Sequence, residues 1–137
     1  MSLDDTSRAR KETVIRLLTA IAERDRESAS RCLSDDATWW VPQSAGKLLG
    51  RPIKGRQNVL DLLCGESHYE VGTMKWEPHQ VLSDENFVVV HCTLRATTRG
   101  GRDYENHYAL LYRFDDLLVS ESWEYTDTAY AVSRFAG

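Results

Sequence analysis

Between residues 71 and 126 the chain alternates apolar and polar residues in four successive stretches, and few folds accept that pattern. A period of two is the mark of strands with one covered face. Strands are predicted over residues 71–82, 86–98, 104–114 and 117–126, with turns at Gly100-Gly101 and Asp115-Asp116. Upstream the period changes. Val14, Leu17, Leu18, Ile21 and Ala22 recur at helical spacing and predict a helix over 5–24. A short helix is expected over 27–33, followed by a turn at Asp35-Asp36 and a strand over 37–41 that Pro42 ends. Residues 43–54 read as a loop. Gly55 then precedes a helix carrying Val59, Leu60, Leu62 and Leu63, with Gly65 at its end. Residues 129–135 are expected to be helical. Helices first and an antiparallel meander after them define an α+β fold, with helices on one face of a bent sheet.

The 137 residues fit one domain, 1–137, large enough to bury a core without disulfides or metal. Seventeen basic residues against twenty-one acidic ones give a net charge of −4, and the basic residues are scattered. That excludes the footprint of a nucleic-acid partner. Cys32, Cys64 and Cys92 are odd in number and widely spaced, which argues for buried, inert thiols in a reducing cytoplasm. The chain has no run of eighteen apolar residues, so no membrane span is expected, and residues 1–11 are too polar for a signal peptide. His68, His79, His91 and His107 show no ligand spacing, and no glycine-rich phosphate loop or nucleophile elbow is present. No metal or cofactor is expected.

Alternation sorts the strand residues into sets. Val88, Val90, Cys92, Leu94 and Ala96 form one face of the second long strand; Phe87, Val89, His91, Thr93, Arg95 and Thr97 form the other. The third strand divides Tyr104, Asn106, Tyr108, Leu110 and Tyr112 from Glu105, His107, Ala109, Leu111 and Arg113. The fourth divides Ser122, Glu124 and Thr126 from Glu121, Trp123 and Tyr125. Parity alone does not say which face meets the helices.

The order of helix, helix, "DDATWWVP", "GRQNVLDLL" and a four-strand meander resembles the SnoaL-like branch of the NTF2-like superfamily. The stretch "ENHYALLYRFDDLLVSESWEYTDTAYAVSRF" carries most of the likeness. Asn106-His107-Tyr108 resembles the family's Asn-x-Tyr, Asp115-Asp116 its Asp-Gly turn without the glycine, and Tyr125-Thr126-Asp127 its closing aromatic-x-Asp. The resemblance implies a cone-shaped curved sheet wrapped around N-terminal helices with a central pocket. It also implies a homodimer, with an outer sheet face read here as Val88, Val90, Leu94 and Trp123. The same region is similar to limonene epoxide hydrolases. Against their catalytic pattern Glu124 keeps an acid, His91 replaces an arginine and Thr93 replaces a second acid, so that triad is not expected. The base that related steroid isomerases place before a proline is also absent, since Val41 precedes Pro42.

The resemblance implies a pocket set of Trp40, His91, Thr93, Arg95, Asn106, Tyr108, Glu124 and Thr126. Asp127 either lines the pocket or caps the final helix. A Glu124 carboxylate beside the His91 imidazole would fix its tautomer and make an acid–base pair. Arg95, Asn106 and Tyr108 would orient a substrate oxygen, and Trp40 would offer a flat wall. That set suits a cofactor-independent isomerase, cyclase or dehydratase acting on a small hydrophobic carbonyl compound. The alternative is a non-catalytic ligand-binding or dimerisation module.

Overall fold

The computed structural model describes residues 2–42 and 52–136. Ser2 opens α1 (Leu3–Glu23) by accepting from the Asp5 N–H at 3.1 Å, and Asp4 and Asp5 put negative charge where the helix dipole favours it. The helix buries Val14, Leu17, Leu18 and Ile21, the stripe that the sequence spacing announces. Arg24 ends it in a left-handed conformation at φ 54°. A short α2 (Arg26–Ser30) follows, capped by Asp25.

Six strands then build one curved, unclosed sheet: β1 (Leu33–Trp40), β2 (Ile53–Lys54), β3 (Lys75–Asp84), β4 (Phe87–Thr97), β5 (Asp103–Asp115) and β6 (Leu118–Thr126). Their order across the sheet is β2-β1-β6-β5-β4-β3, with β1 parallel to β6 and every other pair antiparallel. Helix α3 (Arg56–Cys64) packs on β1, and α4 (Thr128–Phe135) packs on β5. The expected α+β cone is the observed fold.

Several boundaries differ from expectation. β1 starts at Leu33, because Asp35 and Asp36 do not turn the chain. They lie, exposed, where the β1–β6 register shifts between Leu33 and Thr38, and Asp36 accepts from the Ser34 hydroxyl at 2.9 Å. β2 falls inside the expected loop, of which residues 43–51 lie outside the described residues. β3 starts at Lys75 rather than at 71.

The core lies between α1 and the inner face of the sheet. Cross-strand rows run Val88–Tyr112–Ser122–Trp39, then Val90–Leu110–Glu124, then Cys92–Tyr108–Thr126. Val88, Val90 and Cys92 are wholly buried, and each of the two valines is worth about 1.5–3 kcal/mol. Arg10 ties together two turns at one end of this layer. Its guanidinium donates to the Asp116 carbonyl at 2.8 Å and to the Glu85 carbonyl at 3.0 Å. Glu85 and Asp116 are the left-handed residues of two hairpin turns, at φ 50° and 53°. Asp116 thus holds the conformation that a glycine would take more easily.

Candidate active site

The structure separates the residues expected to share a pocket. A two-residue Gly100-Gly101 turn would set Thr93 opposite Tyr108. The chain instead uses a five-residue loop, 98–102, because Thr97 pairs with Asp103. Thr93 therefore faces His107, His91 faces Ala109 and Arg95 faces Glu105. One residue of slip turns every side chain of β4 to the other side of the sheet. His91, Thr93 and Arg95 lie on the outer face; Asn106, Tyr108, Glu124 and Thr126 lie on the inner face. The expected His91–Glu124 pair does not form, since the sheet stands between them. The same slip puts Val88, Val90 and Leu94 in the core rather than on an outer stripe. His91 and His107, expected on opposite faces, share the outer one.

On the outer face these residues satisfy one another. A β-bulge between Pro78 and Gln80 turns His79 toward β4, where its Nε2 lies 2.7 Å from the Thr93 hydroxyl, and the His107 Nδ1 lies 2.9 Å from the same oxygen. Arg95 is held between Glu77 and Glu105. Trp40 also faces outward and donates its indole N–H to Glu121 at 2.7 Å, so Trp39, not Trp40, supplies the pocket wall.

Inside the cone is a cavity of about 220 Å³. An apolar cavity of about 150 Å³ holds benzene, so this one takes a single substituted ring. Its walls are aromatic: Trp39, Trp76, Tyr69, Tyr104, Tyr108 and Tyr112. Leu18 and Ile21 of α1 form another side. Phe135 of α4 closes one end, stacked on His68 with ring centres 4.3 Å apart and on Tyr104 at 5.4 Å.

Glu124 is a carboxylate in this wall, as is Glu66. The Glu124 Oε1 accepts from the Trp39 indole N–H at 2.8 Å. The side chain is partly accessible, because it borders both this cavity and a second hollow beside Trp40 and Pro42. Burial raises its pKa above the ordinary 4.5, and the Trp39 hydrogen bond offsets part of that rise. Burial, with a smaller contribution from Glu124, also pushes the Cys92 thiol up to about 12. That thiol is inert at neutral pH. Cys32, Cys64 and Cys92 are all free.

A second polar group starts one inner row along, at Tyr108 of the neighbouring β5. The Tyr104 and Tyr108 hydroxyls lie 2.8 Å apart. Asn106, buried beside them, donates its amide to the Tyr104 oxygen and to the Asp127 carbonyl, each at 3.0 Å. Asn106 does not line the cavity; it reaches it through Tyr104. Tyr69 lies close to both hydroxyls, and desolvation raises the pKa of Tyr69 and Tyr108, so both stay protonated. Thr126 lines the cavity but spends its hydroxyl proton on the His107 carbonyl at 2.8 Å. Asp127 is a cap: it accepts from the Tyr130 N–H at 3.0 Å and starts α4.

Tyr104 and Tyr112 were open to parity reasoning, since both share a face of β5 with Asn106 and Tyr108, whereas Trp39 lies on the opposite face of β1 from the expected Trp40. Tyr69, Trp76 and Phe135 come from other elements, and no spacing in the sequence announces them. Among the described residues no group of three His, Cys, Asp or Glu side chains could hold a metal ion, and no helix is long and apolar enough to cross a membrane.

This geometry sits within a known family. Residues 14–122 match the family model of the SnoaL-like domain, and the chain belongs to that family. No curated protein matches the chain. Among solved structures, an NTF2-like protein of unknown function from Burkholderia pseudomallei is 21% identical, over 94% of this chain and 98% of that one, with a TM-score of 0.83. A proposed SnoaL-like polyketide cyclase from Jannaschia sp. is 14% identical over 98% and 96%, with a TM-score of 0.83. IdmH, a proposed polyketide cyclase from Streptomyces antibioticus, is 20% identical over 91% and 96%, with a TM-score of 0.76. At these identities the likeness establishes the fold.

Proposed function

We propose that this protein is a cofactor-independent proton-transfer enzyme, an isomerase, cyclase or dehydratase, acting on a small hydrophobic carbonyl compound bound in the inner cavity. The observation that carries this reading is Glu124: a carboxylate in an aromatic wall, with its pKa raised by burial and its orientation set by Trp39. A carboxylic group poised above its ordinary range is suited to exchange protons near neutral pH. Ionised, it would take a proton from the carbon next to the carbonyl; the enolate would then be reprotonated elsewhere or close a ring. His91 has no part in this step. The description of two structural relatives as proposed polyketide cyclases supports the same class of chemistry.

Turnover of a panel of cyclic enones and polyketide-like diketones tests the reading. Glu124→Gln is expected to lower the rate about 10²–10⁴-fold while ligand affinity survives. An unchanged rate on a confirmed substrate would remove Glu124 from the mechanism. Ligand binding by both forms with turnover by neither would support the competing reading, a non-catalytic binding module whose affinity comes from the aromatic lining alone.

The reading includes a homodimer. The outer face carries an apolar row across five strands, Leu82–Val89–Leu111–Trp123–Trp40, with Leu82 61% and Trp40 38% exposed. A contiguous apolar row of that kind is a surface for a second copy. Light scattering at micromolar concentration should give twice the chain mass; a monomer would overturn the dimer.

A further inference from the structure

The three strand histidines gather on the outer face, away from the cavity. His79 sits in the β3 bulge, His91 on β4 and His107 on β5. The rings of His79 and His91 have centres 5.5 Å apart. Thr93, only 1% exposed, lies between His79 and His107, its hydroxyl 2.7 Å from the Nε2 of the first and 2.9 Å from the Nδ1 of the second. A hydroxyl has one proton to give. Thr93 therefore donates to one imidazole nitrogen and accepts from the other. The bridge holds with both rings neutral. It also holds when the donating ring is charged, because the added proton sits on that ring's far nitrogen. It fails when both rings are charged. Two N–H groups then point at the Thr93 oxygen, and the hydroxyl proton loses its acceptor.

The groups around the cluster make its charge count. β3 contributes Lys75 and Glu77, β4 Arg95, β5 Glu105 and β6 Tyr125. Arg95 pairs with both acids, and the His79 Nδ1 lies 4.0 Å from Glu77. Two cations against two carboxylates leave the patch neutral while the imidazoles are neutral, so each proton taken up adds an uncompensated charge. The patch also adjoins the exposed apolar row. His91–Ala109–Tyr125 is the row next to Val89–Leu111–Trp123. A second copy seated on the apolar row reaches the histidines, and a two-fold pair brings the same patch from each side.

We propose that this histidine cluster is a proton switch on the pairing of two copies: the outer faces associate while the imidazoles are neutral and separate as they charge. The switch regulates the dimer of the proposed function and rests on that dimer. Imidazoles charge between about pH 7 and pH 5. An unpaired charge buried between copies is disfavoured, so association withholds protons that the separate copies take up. The contribution to pairing is therefore full above that range and is lost as pH falls through it.

Sedimentation velocity at micromolar concentration, at about pH 7.5 and about pH 5.5, tests the switch. Each proton that the pair excludes weakens association about tenfold across that interval. The doubly charged bridge is excluded once per copy, so the dissociation constant should rise about a hundredfold. Circular dichroism should show the chain still folded at the lower pH. His79→Gln combined with His107→Asn places amide atoms where the ring nitrogens bond Thr93 and removes both titrations. This double variant should pair almost equally at the two pH values. His107→Asn alone, with one titrating ring left on the bridge, should lose most of the shift and serves if the double variant misfolds.

A dissociation constant that is equal at both pH values would overturn the switch and leave the dimer standing. A shift that either variant retains in full would overturn it too, as would loss of fold at the lower pH. A monomer at both pH values would overturn the dimer itself, and the switch with it.

Discussion

Val90, Cys92 and Leu94 alternate along β4 with His91, Thr93 and Arg95, and the two sets live in different solvents. The first set meets helix α1 and the cavity; the second meets water, two carboxylates and two imidazoles. The contrast extends to the acids. Glu77 and Glu105 on the outer face flank Arg95, and Glu121 accepts from Trp40. Glu124, on the inner face, has an indole N–H and an aromatic wall, and its proton is correspondingly hard to remove. Ionisable residues on the outer face hold one another, whereas the one on the inner face is left available for chemistry.

The largest expected difference between the faces is in stability. Leu94→Ala empties part of the core beside the cavity and should cost about 2–5 kcal/mol. Arg95→Ala, one residue along, should leave the denaturation midpoint unchanged, because its ion pairs are exposed. Urea unfolding of the two variants side by side reads this directly. Similar losses in both would break the contrast.

A smaller effect is expected in the pH dependence of folding. Folding raises the pKa of Glu124, so the unfolded chain gives up that proton more easily. The contribution to stability is therefore full below 4.5 and is lost as pH rises through the raised value. Glu124→Gln has no proton to lose there. Its stability relative to the wild type should rise between acid and mildly alkaline pH, as measured by denaturant midpoints across that range. A difference independent of pH would mean that burial does not perturb Glu124.

The smallest expected effect is none. His91→Ala removes a group on the far side of the sheet from the cavity, so ligand affinity and any turnover should match the wild type in a paired titration and rate assay. A loss of more than a few-fold would mean that the outer face takes part in the site.

Much of the fold was legible because it depends on period. The α1 stripe, the four long strands and the α+β order follow from alternation that no tertiary contact overrides. The β5 and β6 members of the site were legible too: Asn106, Tyr108, Glu124 and Thr126 do share a face. The failure is confined to β4 and β1. Parity sorts residues into two sets but leaves the choice between them to register, and register here hangs on a five-residue loop in place of a two-residue Gly100-Gly101 turn, which slips the pairing by one residue. Trp39 and Trp40 pose the same binary choice at the end of β1. Contacts that cross elements, such as Phe135 between His68 and Tyr104, leave no local trace in the sequence.

The central claim is that Glu124 is a perturbed carboxyl group on the cavity side of the sheet. A carbon-13 NMR titration of the glutamate side-chain carboxyls, with the Glu124 resonance assigned by its absence in Glu124→Gln, measures it directly. Glu124 is expected to titrate above 4.5, and higher still in Trp39→Phe, where the hydrogen bond that favours the ionised form is gone. A midpoint at or below 4.5, or one that Trp39→Phe leaves in place, would contradict the account.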